Sequence, residues 1–215
     1  HRPEKLRIIP LLKRLWLEKE EEKLTQTDQF SRELFSTIAI LNQNGVVDQA
    51  TIDKLSDSLA DKIQNSAQRK IYTTNDIKII KNDLFKTINT YGSALGKVYA
   101  ENPIKGNVLD IFQKFAPDEN TANIDALTKL NPIIEQTNKL INAALKIDIP
   151  QSFVSLHLSL LNSFERVSEN LSDIKYFDTD PIVAMSAISQ YEKNTVLLVA
   201  SMENLADEIE RKLNN

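Results

Sequence analysis

The chain has 215 residues, a formal net charge of −4 and no cysteine. That length can bury a substantial core in one large or two small domains, and the missing thiol excludes a disulfide scaffold, an iron–sulfur cluster and a cysteine zinc site. With 4 Gly and 7 Pro there are few turn residues, which favours long helices and short loops, while 41% hydrophobic and 26% charged residues are ordinary globular usage.

Residues 1–24 stand apart. Arg2, Lys5, Arg7, Lys13 and Arg14 are followed by the acidic run Glu18, Glu20, Glu21 and Glu22. Pro3 and Pro10 push any helix to about Leu11–Lys23. This basic arm is read as a segment packed on the domain, with a Trp16-bearing membrane-surface or partner helix as the alternative. No run of about 18 apolar residues is present, so nothing in the sequence spans a bilayer as a helix. The chain begins with His1, which is expected of a fragment or processed product. Membrane contact is therefore expected only through an anchor upstream or the basic segment 1–17.

Residues 25–215 are expected to form a single all-α domain, an antiparallel multi-helix bundle of six or seven helices, with a candidate subdivision near 102–124. Phe30, Leu34, Ile38 and Leu41 mark a first helix, capped by Thr27 or Asp28 and ended at Gly45. Ile52, Leu55, Leu59 and Ile63 mark a second from Asp48, and the short linker predicts a helical hairpin. After the polar break Tyr72–Asp76, the residues Ile77, Ile80, Leu84, Ile88, Tyr91, Leu95 and Val98 recur at spacings of three and four and predict one long helix. Gly92 and Gly96 inside it suit a close helix crossing. They are no phosphate loop, since no strand precedes them.

Val108, Ile111, Phe112 and Phe115 predict a short helix from Asn107, followed by a polar loop over 116–123. Helix resumes over about 123–146, with a kink or restart at Pro132. Pro150 is placed in the first turn of the next helix, whose stripe is Phe153, Val154, His157, Leu160, Leu161, Phe164, Val167 and Leu171. Asp180-Pro181 is a strong start signal for the last helix, which runs to about Leu213. Its Ile188, Tyr191, Thr195, Leu198, Met202, Leu205 and Ile209 form a heptad that suits a bundle helix or a coiled-coil seam. No strand is predicted.

The chemistry offered is sparse. Neither a Gly-x-Ser-x-Gly elbow nor a His-Glu-x-x-His or Glu-x-x-His pair occurs, and no EF-hand loop. No catalytic, cofactor-binding or metal-binding residue is assigned, and no cofactor is expected. With mixed charge along an acidic chain, no nucleic-acid partner is expected. His157 is the exception, a polar residue in the middle of an apolar stripe. A phosphorelay histidine would be exposed and followed by a lysine and a small residue, whereas Leu158, Ser159 and Leu160 follow. The preferred reading is a buried neutral imidazole in a structural polar cluster with Asn162, Asp180 and Tyr191, because an unpaired buried polar group costs about 1–3 kcal/mol.

Ile149-Pro150, His157-Leu158, Leu161-Asn162, Asp180-Pro181-Ile182 and Tyr191 together resemble a pattern in uncharacterised helical extracytoplasmic proteins of candidate phyla radiation (Patescibacteria-type) bacteria. The resemblance covers residues 149–191. It implies a helical domain facing outward from the cell envelope on a membrane anchor, and it implies no activity. The expected function is thus a non-enzymatic helical interaction or structural domain, extracytoplasmic and membrane-tethered, with an unidentified protein partner and undetermined oligomeric state. The alternatives are a cytoplasmic adaptor or regulator that binds a partner helix along 188–209, and a small-ligand binder around His157.

Overall fold

The computed structural model describes residues 24–44, 49–64, 69–118 and 121–214. The expected arm helix, its basic segment 1–17, Gly45 and Asp48 lie outside them. Seven α-helices are described: α1 (Gln26–Asn44), α2 (Gln49–Gln64), α3 (Phe85–Glu101), α4 (Val108–Phe115), α5 (Asn131–Ala144), α6 (Val154–Ile174) and α7 (Pro181–Leu213). The fold is all-α, as the periodicity predicts.

α1 starts two or three residues earlier than expected. Thr25 and Asp28 cap it reciprocally: the Asp28 amide donates to Thr25 Oγ1 at 3.0 Å and the Thr25 amide to Asp28 Oδ2 at 3.1 Å. Thr27 instead reaches across to Asp180. α1 and α2 are joined by Lys62–Glu33 at 3.0 Å. No residue of α2 is buried, so α2 lies on the rest of the molecule and is not part of its core.

The long helix expected from Ile77 is shorter. Thr73 and Asp76 form a capping box, but it closes only the 3-10 turn Thr74–Asp76. The chain then extends as β1 (Lys78–Ile80), which pairs in parallel with β2 (Asp148–Pro150), Ile79 opposite Ile149. The expectation of no strand fails here, and so does the placing of Pro150. Pro150 ends β2, a position that tolerates a missing N–H, and a 3-10 turn over Gln151–Phe153 separates it from α6. α3 begins after Asn82 Oδ1 accepts the Thr87 hydroxyl at 2.6 Å and Asp83 binds Ser152.

Pro132 restarts the chain: a 3-10 stretch Ile124–Leu130 ends where α5 begins, with proline in its first turn. Asn107 caps α4 through Leu109 and Asp110, and Asp180 caps α7 through the Val183 amide. Both match the sequence reading.

α6 and α7 form the central antiparallel pair, turned by the 3-10 segment Lys175–Asp178. Across them Ser163 meets Ser201 at 3.1 Å and Asn194 donates to Asn170 at 2.6 Å. Two apolar clusters share α6. One gathers Ile88, Tyr91, Leu95, Leu140, Ile141, Ile149, Phe153, Leu160, Leu161 and Leu205. The other gathers Ile111, Phe115, Leu127, Leu130, Ile133, Val167, Leu171 and Ile174. Leu198 on α7 packs against both. Of the two helical glycines, Gly92 permits a close crossing, since an added Cβ would sit 3.2 Å from Ile209 of α7; Gly96 faces open space.

Candidate functional site

The α6 stripe turns His157 into the first cluster, where it is 0% exposed. Its Nδ1 lies 2.9 Å from the Tyr91 hydroxyl of α3. The Tyr91 ring also packs on Phe153 at 5.2 Å between centroids. Nε2 faces the Ala144 carbonyl at the end of α5 without reaching hydrogen-bond geometry. A neutral imidazole fits this setting, with its proton on Nε2 toward that carbonyl and Nδ1 accepting from Tyr91. Burial pushes the His157 pKa down to about 4, and the Ala144 carbonyl opposes the shift. Burial likewise raises the Tyr91 phenol far above its usual value. Two neutral groups closed off from water form a packing element. Tyr91 also lines the cleft between α3, the end of α5 and the strand pair, whereas His157 does not.

The buried, neutral histidine is as expected, but its partners are not. Asn162 lies five residues on, about 140° around the helix, so it cannot face what His157 faces. Asp180 follows the far end of α6, about 25 Å of helix rise from His157. Tyr191 packs edge-on against Phe112 at 5.4 Å in the second cluster, and burial raises its phenol. The four expected members of one polar cluster therefore sit in four places. Tyr91, the true partner, was visible only as an apolar-stripe residue of α3. A tyrosine hydroxyl at a core position needs a partner, but nothing local says which helix supplies it.

Asn162 belongs instead to a polar ladder that sequence reasoning missed. Asn162, Glu165, Glu169 and Asp173 recur at spacings of three and four along α6 and hold the extended segment 69–72. The Tyr72 amide donates to Asn162 Oδ1 at 2.7 Å, and Asn162 Nδ2 returns a bond to the Tyr72 carbonyl at 3.1 Å. The Tyr72 hydroxyl donates to Glu165 at 2.9 Å. Glu169 accepts the amides of Arg69 and Lys70 at 3.2 and 3.0 Å and the Arg166 guanidinium at 2.7 Å. Asp173 takes Arg69 at 2.6 Å. Burial raises the Asp173 carboxyl, and Arg69 opposes the shift. The ladder holds the strap that leads from the α1–α2 hairpin to β1.

Asp180 has a similar bridging role. Besides capping α7, it accepts the amides of Gln26 and Thr27 at 2.9 and 3.1 Å and the Thr27 hydroxyl at 2.7 Å, pinning the start of α1. One shallow cleft lies there, lined by Leu24, Gln29, Lys62 and Val183 among others. A second, of about 660 Å³, lies between α3, the end of α5 and the strand pair. His157 lines neither cleft. No protein-family model, curated protein or solved structure matches the chain.

Among the described residues no three His, Asp or Glu side chains are grouped to hold a metal ion, and no helix is long and apolar enough to cross a membrane. The heptad of α7 over 188–209 is only partly used inside the fold. Leu205 is buried and Tyr191, Leu198 and Ile209 pack on the core, whereas Ile188 and Met202 of the same heptad are exposed. These two join the row that α7 shows outward. Met185, Ile188, Val196, Val199 and Met202 are all exposed, Val196 by 62%.

Proposed function

We propose that the chain is a non-catalytic helical interaction domain that takes a partner helix on the outward face of α7 and works on the extracytoplasmic side of the cell envelope. The row Met185, Ile188, Val196 and Val199 carries the interaction reading. Its members fall on one face at helical spacing, whereas surface apolar residues of a monomer are normally scattered singly. Apolar anchors repeating along a helix are what a partner helix docks against, and the methionines at Met185 and Met202 let such a face adapt to its partner. The enclosure of His157 supports a non-catalytic role, since a substrate has no path to it. Support for the envelope comes from the run between Ile149 and Tyr191. The same face serves a cytoplasmic adaptor equally well, so location is tested separately.

A photo-crosslinking amino acid placed at Val196 in the native cell should give a discrete adduct, and one at the exposed Lys129 should not. No adduct at Val196, or an equal smear at both positions, would sink the docking face. Digestion by protease added to intact cells supports the envelope location. Full protection, with the protein in the soluble fraction, replaces it with the cytoplasmic adaptor.

A further inference from the structure

The cleft between α3, α5 and the strand pair carries four lysines in its lining. Lys86 and Lys97 rim it from α3, Lys146 from the end of α5 and Lys78 from β1. Two carboxylates line it as well, and both are engaged: Asp148 with Lys78, and Glu101 with Lys97 at 3.7 Å. Lys86 and Lys146 are exposed and have no carboxylate within ion-pair distance among the described residues. Beneath them the lining is apolar, with Ala94 and Val98 on α3 facing Ile147. A positive rim over an apolar floor, on a chain of net charge −4, is a local feature and not a reflection of overall charge.

The shape narrows the occupant. The cleft is an open trough with no enclosed pocket, so it would leave much of a small ligand in water, whereas small-molecule sites bury most of their ligand. Lys86 stands in the first turn of α3 and Lys146 just past the end of α5, on different elements of the trough. An extended segment laid across it can set one acidic residue at each, with aliphatic side chains between. A long polyanion such as nucleic acid, or an anionic bilayer, would set a wide negative field against an acidic body. A short acidic segment meets only the basic rim.

We propose that this cleft binds an acidic, partly aliphatic peptide segment of a protein partner. Its carboxylates sit at Lys86 and Lys146 and its aliphatic side chains on Val98 and Ile147. The site uses α3 and α5 and does not depend on the α7 face, so each can stand without the other.

The test is an array of fluorescein-labelled heptapeptides with Glu or Asp at both ends and every combination of Leu, Val, Ile and Phe between. Binding is read by fluorescence anisotropy against the full chain. At least one member should bind, weaken as salt is raised, and lose about tenfold or more in affinity to the double variant Lys86→Glu/Lys146→Glu. Both side chains are exposed, so the variant should keep the wild-type melting temperature, which separates lost binding from lost fold. A Val196→Glu variant should bind the same peptide unchanged, which separates this site from the α7 face. The proposal is overturned if no peptide binds, if the double variant binds as well as the parent, or if phosphatidylglycerol vesicles bind through the same lysines while no peptide competes.

Discussion

Mild acid should destabilise this protein by an amount traceable to one imidazole. Burial holds the His157 pKa at about 4 against an ordinary value of 6.5. Between those values the unfolded chain binds a proton that the native chain refuses. Stability is therefore unaffected by this group above about pH 6.5, falls as the pH drops through that value, and levels off below about 4. The full shift corresponds to about 3 kcal/mol, and the part expressed between pH 7 and pH 5 to about 2 kcal/mol. Other groups titrate too. Burial raises Asp173 toward this window, whereas Asp28 and Asp76, held low by Thr25 and Thr73, lose stabilisation only below the ordinary carboxylate range, so wild type alone cannot isolate the histidine. The reference is the double variant Tyr91→Phe/His157→Leu, which removes both hydrogen-bonding partners together and leaves neither orphaned. Urea unfolding of both proteins at pH 7 and pH 5 should show the wild type losing about 2 kcal/mol more than the variant. Parallel losses would refute the reasoning, as would an imidazole that titrates near 6.5 by NMR in the folded protein.

Glu169→Ala should cost about 2 kcal/mol in chemical denaturation, because it takes the acceptor from two backbone amides of the strap and one partner from the largely buried Arg166, which keeps Gln190. A loss under about 1 kcal/mol would show that the ladder on α6 does not hold residues 69–72. Gly106 and Gly96 should respond oppositely to alanine. Gly106 has φ of 121° and a new Cβ there would lie 2.9 Å from Ile133, so Gly106→Ala should destabilise by about 2 kcal/mol. Gly96 sits in a helix with nothing within 4 Å, so Gly96→Ala should stabilise by up to about 1 kcal/mol. Thermal melts of both variants decide the matter, and a shift of the same sign in both would count against it.

Local signals were legible in the sequence. The stripe from Phe153 to Leu171 is buried almost throughout, and Asp180-Pro181 starts a helix because cap and first-turn proline act within four residues. Ile77, Ile80 and Leu84 misled for the same reason. Their spacing is helical, yet β1 is fixed by a strand about 70 residues away, and three residues are too few to show alternation. His157 was legible as buried because its neighbours at three and four are apolar. Its partner was not, because the choice among Asn162, Asp180, Tyr191 and Tyr91 depends on which helix crosses α6 near its first turn. The charged ladder was hidden in another way. Glu165, Glu169 and Asp173 read as a solvated helix face, and only the strap lying on it takes Glu169 and Asp173 out of water.

The parallel pairing of β1 with β2 also turns α3, α4 and α5 into a loop whose two ends are fastened side by side. Cutting such a loop at one point does not free its parts. A chain nicked at the Gly106 turn would still be held by the strand pair, by Tyr91 against His157 and by α7 lying along both apolar clusters. The pieces on either side of that cut are therefore candidates for a split protein, expressed separately and reassembled by the contacts that close the loop in the intact chain.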